Sequence, residues 1–426
     1  MNRPGPARRR IGLGVGSALL SLAPACAGAD EAGFPAMEWH GFADLRYLHV
    51  ESDPTWLDRA LGKFRYGDGG STDLVRANEA ALTARMRLGW DWTATATLKA
   101  ADRQTHPLDA TEAFLHWRPA SMESLRYSAR LGAFFPPVSL ENTGTGWTSP
   151  YTLTSSAINT WVGEELRVFG GEAQWALRLG NGDQLGLFGA GFGNNDTAGA
   201  LLAWRGFSLH DYEATFGDRL PLPTRSGVIQ SIFPKQAGST QPFVEVDGRP
   251  GYYLGLSLER PGLAKFRALY YDNRARTSVV ENGQYGWHTR FASLGFKSEL
   301  PWALELIGQG LFGRTQMGAP MGGVFPVDAD FHAYSVLLSK ASGGHRLSLR
   351  HDRFSAGGDD LFPQDDNRES GRAWTVNYNY SFDFHVQHQL NLEFVWIDSN
   401  RPARELWGEA ARQRENLWLL SYRVFF

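Results

Sequence analysis

The chain carries one cysteine in 426 residues, Cys26, near the amino terminus. A disulfide framework and a thiolate metal site are therefore both excluded. Beyond the first thirty residues there is no run of ~18 apolar residues, so no helix could cross a membrane. Positive charge is scarce as well. The formal net charge is −3, and it falls to −7 once the four arginines of residues 1–27 are set aside. That balance argues against nucleic acid as a partner. In place of these features the chain has 48 glycines, 15 tryptophans and 13% aromatic residues, with only 20% charged. Such a composition suits strands that show lipid one face and water the other. It also suits a soluble β-sandwich, so pattern has to decide.

Arg8, Arg9 and Arg10 precede an apolar run from Ile11 to Ala23, and Ala25-Cys26-Ala27 follows. These are the basic region, apolar core and small-residue site of a secretory signal peptide over residues 1–27, with cleavage after Ala29 as the alternative. The run is too short for a ~30 Å hydrocarbon core. Ala23-Pro24-Ala25 lacks the leucine that lipid attachment at Cys26 would call for.

Residues 28–426 read as one domain of alternating segments. At the end of the chain, Trp418, Leu420, Tyr422, Val424 and Phe426 alternate with other residues at period 2, which marks a strand. Leu82, Ala84, Met86 and Leu88 alternate with Thr83, Arg85 and Arg87 in the same way. In Leu125–Ala133 a one-residue slip would put two arginines into lipid, at ~2–4 kcal/mol each. Trp374, Val376, Tyr378 and Tyr380 set against Thr375, Asn377, Asn379 and Ser381 form the clearest case.

About sixteen such strands are expected, with fourteen to eighteen open. The sixth is placed at Gly163–Leu179, bulged at Gly170-Gly171. Asn181-Gly182 then turns it into the seventh. Seven connections are short and alternate with eight long polar ones. A sandwich has no reason to segregate its loops by length, whereas a membrane barrel does. The fold class expected is all-β, a transmembrane antiparallel barrel. A third long loop spans about 134–162, and a fourth runs from about 194 to 250. Within the fourth, Gly199–Leu209 and Gly227–Phe233 could each be a further strand. Trp39, Trp90, Trp92, Trp117, Trp302 and Trp396 near strand ends would form interfacial girdles.

A final strand with alternating aromatics, Tyr422 among them, and a terminal Phe426 resembles the closing strand of Gram-negative outer-membrane barrels. The resemblance implies that the barrel assembly machinery reads this end. A second likeness lies after the fifth strand. Gly132-x-Phe134-x-x-Pro137-x-Ser139-Leu140-Glu141 resembles the corresponding segment of the phosphate-selective porins O and P. Phe135 and Val138 stand where that family has a basic residue and an aromatic. The resemblance implies a porin in the outer membrane, surrounded by its lipids. It also implies, as in sixteen-stranded porins, a third loop that folds inward and narrows the pore through Phe134, Pro137, Ser139, Glu141, Trp147 and Tyr151, and a homotrimer.

Inward positions predict a lumen lined by Arg46, Arg85, Arg87, Lys99, Glu112, Arg126, Arg130, Arg167 and Arg267, with further acids at Asp44, Glu165, Glu259, Glu305 and Glu393. The function expected is passive diffusion of small hydrophilic solutes, with mild anion preference. Lumen charges that merely pair with one another are the plainer alternative. Two other classes stay open. One is a barrel hydrolase, for which His210-Asp211 is the best local pair although no serine motif accompanies it. The other is a plugged, surface-binding barrel. No catalytic residue, cofactor or metal site is expected. The acidic loop Asp359, Asp360, Asp365, Asp366 and Asn367 lacks EF-hand spacing.

Overall fold

The computed structural model describes residues 36–426, apart from Arg225, Asp359 and Pro363. The expected leader, with Cys26 and both cleavage positions, lies outside the described residues. Sixteen antiparallel strands close into a barrel. They are β1 (Ala36–Glu51), β2 (Ser71–Arg87), β3 (Trp92–Ala101), β4 (Asp109–Trp117), β5 (Leu125–Phe134), β6 (Val168–Arg178), β7 (Gln184–Gly193) and β8 (Gly251–Arg260). The circle continues through β9 (Ala264–Asp272), β10 (Trp287–Leu300), β11 (Leu304–Met317), β12 (Val327–Ser342), β13 (His345–Gly357), β14 (Glu369–Phe384), β15 (Val386–Asn400) and β16 (Arg412–Phe425). Each strand pairs with its neighbour in sequence, and β16 returns to β1 in a register from Phe42↔Phe425 to Glu51↔Asn416. Closure pairs every strand edge, which a wall facing hydrocarbon requires.

Exposure alternates along the strands as the sequence pattern demands. Leu254, Leu256 and Leu258 of β8 are exposed on the outer face, as are Leu390 and Leu392 of β15 and Trp418, Leu420 and Tyr422 of β16. A soluble protein does not leave so continuous an apolar belt open. At the seam, Phe426 and Gly41 exchange backbone hydrogen bonds of 2.8 and 3.0 Å, and the Phe426 ring lies where a Cβ on residue 41 would sit. Glycine is what lets the terminal ring lie flat against β1 there.

Two β-bulges break the ladders. One inserts Asn78 between Ala77 and Glu79, and the other inserts Thr111 between Ala110 and Glu112. Neither is at Gly170-Gly171, where β6 pairs with β7 without a shift. Gly170 serves close approach instead: a Cβ there would meet the backbone of Gly191 and Phe192. The sixth strand also begins later than the sequence pattern suggests. Residues 163–165 close a helix, α1 (Ala157–Glu165), whose first turn is capped by the Ser156 hydroxyl accepting from Asn159 N–H at 3.3 Å. The two extra strands considered in the fourth loop are likewise helices, α2 (Ala200–Trp204) and α3 (Val228–Ile232). Both segments satisfy their backbone locally rather than joining the wall: α2 is wholly buried, whereas α3 buries Ile229 alone.

Strand lengths are uneven. β3 through β9 have 9–11 residues, while β10 through β16 have 13–16. The side wall is therefore low on one flank and tall on the other. The seven connections at one end are tight, and all the long loops leave from the other. The alternation makes a direct prediction. Leu256→Arg, at the middle of the outer face of β8, should cost ~2–4 kcal/mol in unfolding from phospholipid vesicles. Ser257→Arg, one residue on and facing inward, should cost far less. Equal losses would mean that the outer face is not in lipid.

Candidate functional site in the barrel lumen

The inner wall changes character with height. Toward the tight-turn end it is polar: Thr93, Thr95, Arg126, Ser128, Gln174, Lys265, Ser381 and Gln389 point inward. Toward the loop end it is apolar: Val50, Phe134, Tyr253, Tyr271, Phe291, Phe331, Val395, Ile397 and Leu417 are inward and buried. In an open tube those side chains would face water. Loops 3 (residues 135–167) and 4 (residues 194–250) cover them. Trp161 of α1 packs on Phe291 and Phe331 at 5.5 and 5.3 Å, and Phe207 packs on Phe354 at 5.6 Å. Ala198, Leu201, Leu202 and Ala203 are wholly shut from water. The hydrophobic effect thus draws both loops into the barrel.

Buried polar contacts then fix where the loops sit. Arg350 on β13 donates to Glu141 at 2.6 Å, to Asp352 at 2.8 Å, and to the carbonyls of Thr154 and Ser155. Glu393 on β15 accepts from the Leu153 and Thr154 N–H groups at 2.6 and 2.9 Å. Gln309 accepts from Asn159 at 3.0 Å. Loop 4 uses another arc of the wall, β1 to β3, and the connection between β1 and β2. Asp211 meets Arg46 at 2.7 Å and Arg65 at 3.4 Å, and it accepts from Asn78 at 2.7 Å. Glu213 lies 3.3 Å from Lys99, which also holds Glu79 at 2.8 Å. Both bulges take part, since Asn78 reaches Asp211 and the Thr111 carbonyl accepts from Arg167 at 3.0 Å. A bulge that re-aims a group toward a docking partner is a common use of the motif.

The residues expected to line the pore therefore fall into two sets. Arg46, Lys99 and Arg167 are no more than 1% exposed and hold loops, not solute. Arg167 is a correction in a second respect. It precedes β6, and its guanidinium is spent on the carbonyls of Thr111, Gly163, Leu166 and Ala214, over the Phe135 ring. Glu165, expected on the wall, sits on α1 and caps the start of α2 through Gly199 and Leu201 N–H at 3.0 and 2.9 Å. Arg85, Arg87, Arg126, Arg130 and Arg267 lie lower. Arg87 pairs with Glu38 at 2.5 Å, and Arg130 with Glu172 at 2.8 and 3.0 Å. Arg267 donates to the carbonyls of Pro137 and Ser139, and Glu112 accepts from Phe135 N–H at 3.1 Å. Among the described residues Arg85 and Arg126 have no acidic partner. Arg126 borders a cavity of about 770 Å³ that also touches His116, Arg118, Ser128, Arg130 and Gln174.

The six residues expected to form a constriction all lie at or just beyond the end of β5, and all are within loop 3 except Phe134. Phe134 ends the strand above Arg130, whose guanidinium stacks on it at 3.9 Å. Trp147 stacks on Phe135 at 4.1 Å. The Ser139 hydroxyl accepts from the N–H groups of Glu141 and Asn142. Tyr151 donates to Glu305 at 2.8 Å while Lys297 donates to its hydroxyl at 2.8 Å, and Arg346 completes the group on Glu305. Tyr422 faces outward and bonds His388 at 2.7 Å. The His210-Asp211 pair is not brought together. The His210 ring accepts from Tyr212 N–H and faces Glu164 at 3.0 Å, while Asp211 turns to the wall. The acidic loop is tied to the wall and to itself, with Asp360 accepting from Asp328 N–H of β12 and from Asn367. Three acids, Asp196, Glu245 and Asp247, do approach one another in loop 4, a grouping that the wide spacing in sequence conceals.

The loop carboxyls divide by environment. Burial opposes ionisation of Glu164, yet Arg205 and His210 beside it hold it down to about 2. Burial pushes its neighbour Glu165 up to about 7, and does the same to Glu213 and, with Glu245 and Asp247 close by, to Asp196. A carboxyl raised in the folded state stabilises it fully below the ordinary carboxylate range and loses that contribution as pH climbs through about 7. Loop packing should therefore be tighter at pH 5.5 than at pH 8.5, measured by amide exchange in residues 195–215. Glu165→Gln should reduce that dependence with the fold intact, whereas Glu164→Gln, which strands the buried Arg205, should cost ~3–5 kcal/mol.

No family model matches the chain, and no curated protein does. Solved structures do. The outer membrane channel DcaP of Acinetobacter baumannii aligns over 93% of this chain and all of its own, with a TM-score of 0.57 at 12% identity. The anion-selective porin from Comamonas acidovorans aligns over 92% of this chain and all of its own, with a TM-score of 0.50 at 12% identity. Salmonella typhi OmpF, solved with daunomycin, aligns over 92% of this chain and 98% of its own, with a TM-score of 0.50 at 12% identity. At these identities the likeness establishes the sixteen-stranded barrel fold.

Proposed function

We propose that the chain is a channel of the Gram-negative outer membrane, through which small hydrophilic solutes diffuse passively with a mild preference for anions. The observation that carries this reading is the basic, polar lower lumen. Arg85 and Arg126 face it without acidic partners among the described residues, and Arg126 shares one cavity with Arg118 and His116. The nearby acids Glu112 and Glu172 are already committed to Phe135 N–H and Arg130. Uncompensated arginines on a low-dielectric wall raise the local concentration of anions. The likeness to a protein described as an anion-selective porin accords with this. The outward apolar belt places the barrel in a bilayer, and Tyr422 and Phe426 would be the residues read during assembly.

The filled upper lumen favours a second reading, in which the barrel is closed at mid-height by loops 3 and 4 and acts through its outer surface. Conductance separates the two. Reconstituted protein should give stepwise currents whose reversal potential in a salt gradient lies toward the anion. Arg85→Gln with Arg126→Gln should move it toward zero. Cation preference in the parent protein would overturn the anion claim, and silence would favour the closed barrel. Deleting 144–153, which removes Trp147, Tyr151 and Leu153 from the lumen, should raise the current per channel. An unchanged value would show that loop 3 does not set the bore.

A further inference from the structure

The outer face of the tall flank carries a second set of arginines that the lumen does not use. Arg353 on β13, Arg372 on β14, and Arg412 and Arg414 on β16 point outward at the loop end and are exposed. They belong to adjoining strands. Arg353 stands directly opposite Arg372, and Arg414 directly opposite Asp398 of β15. Asp398 is the one acid inside this group. It is bound by Arg412 at 2.8 and 2.6 Å and reached by Arg372 at 3.3 Å. The side chains of Arg353 and Arg414 have no ion pair or hydrogen bond among the described residues. Glu51, beside Asn416 at 3.3 Å, and Asp330 on β12 flank the group at its edges. Four cations against one carboxylate, two of them opposed across a ladder, are unfavourable unless an anion joins them.

Height in the barrel says which anion. Two residues nearer the tight-turn end, Trp374 and Trp396 form a cross-strand pair, and Arg372 lies over the Trp396 ring at 5.6 Å. Trp418 is four residues below Arg414, and Leu349 four below Arg353. The hydrocarbon-facing Leu347, Val376, Leu392 and Leu420 follow. Tryptophans in such a position mark the boundary between acyl chains and headgroups. The arginines are thus set at headgroup level, over apolar wall, where a lipid's phosphates come within reach while its chains lie on the strands below. Guanidinium groups bind phosphate through paired, charge-assisted hydrogen bonds.

We propose that this face of β13–β16 is a docking surface for a phosphorylated lipid of the outer leaflet, with Arg353, Arg372 and Arg414 holding its phosphates. The proposal rests on the outer-membrane placement argued above. The test uses the full barrel in neutral phosphatidylcholine vesicles doped with lipid A bearing two phosphates, followed by detergent extraction and quantification of lipid A retained per barrel. The parent protein should retain it, and Arg353→Gln/Arg372→Gln/Arg414→Gln should retain at least tenfold less. Dephosphorylated lipid A should not be retained by either. Equal retention by the triple variant, or by the parent for the dephosphorylated lipid, would overturn the proposal. Displacement by millimolar inorganic phosphate would also overturn it, since the site would then hold a free anion. Heat-dependent gel mobility of the folded barrel checks the variant, and Arg353→Gln alone, which removes no ion pair, should still lower retention. Failure of the parent to insert into any vesicle would instead strike at the membrane placement itself.

Discussion

An apolar surface inside a closed barrel has to be covered, and most of what is distinctive here follows from that constraint. Closure leaves each strand with one outer and one inner face, with no third option for a side chain. On the lower wall the inner face is polar and tolerates water. On the upper wall Val50, Tyr271, Phe331 and Ile397 turn inward, and water cannot satisfy them at low cost. Loops 3 and 4 supply the missing partner surface. Once they are inside, their backbone groups need partners too. Arg350 and Glu393 provide them for loop 3, while Arg46, Arg65 and Lys99 meet the loop 4 carboxylates of Asp211 and Glu213.

This order of events explains what the sequence disclosed and what it concealed. Sixteen strands and the alternation of short with long connections were legible because lipid imposes period 2 on a strand by itself. The outer face of β14, from Trp374 to Tyr380, needs no knowledge of any other strand. Loop structure has no such local imprint. Gly163-Glu164-Glu165 resembled the start of a strand, and its helical state depends on Ser156 capping and on Glu165 meeting α2, some thirty-five residues away. Gly199–Leu209 was apolar enough to suggest a strand. The same apolarity signalled burial, and the barrel interior was where burial was on offer. The bulges at Asn78 and Thr111 had no glycine to announce them.

The lumen residues divide along the same line. Assigning Arg46, Lys99 and Arg126 to one inner face was a matter of counting by twos. Telling that Arg46 and Lys99 hold a loop while Arg126 faces a cavity required Asp211 and Glu213, which approach from a loop more than a hundred residues away. A buried ion pair is weak evidence for net stability, because desolvation offsets much of the Coulomb gain. Its value here is positional. With each of these buried charges met by an opposite charge or, as at Arg167 and Glu165, by backbone groups, the polar lattice selects a register for loops 3 and 4 that apolar packing by itself would leave loose.

Depth and face together then set what an arginine does in this barrel. At mid-height and inward, a guanidinium is surrounded by protein and must be neutralised by it, as Arg350 is by Glu141 and Asp352. Lower and inward, it meets water, and an unmatched charge such as Arg126 is tolerable because solvent screens it. At the loop end and outward, Arg353 and Arg414 have headgroups as their solvent. There too a missing protein partner carries no penalty if the surroundings are anionic. The same side chain is structural, electrostatic or lipid-directed according to two coordinates, and both follow from the strand pattern once the ends of the barrel are known.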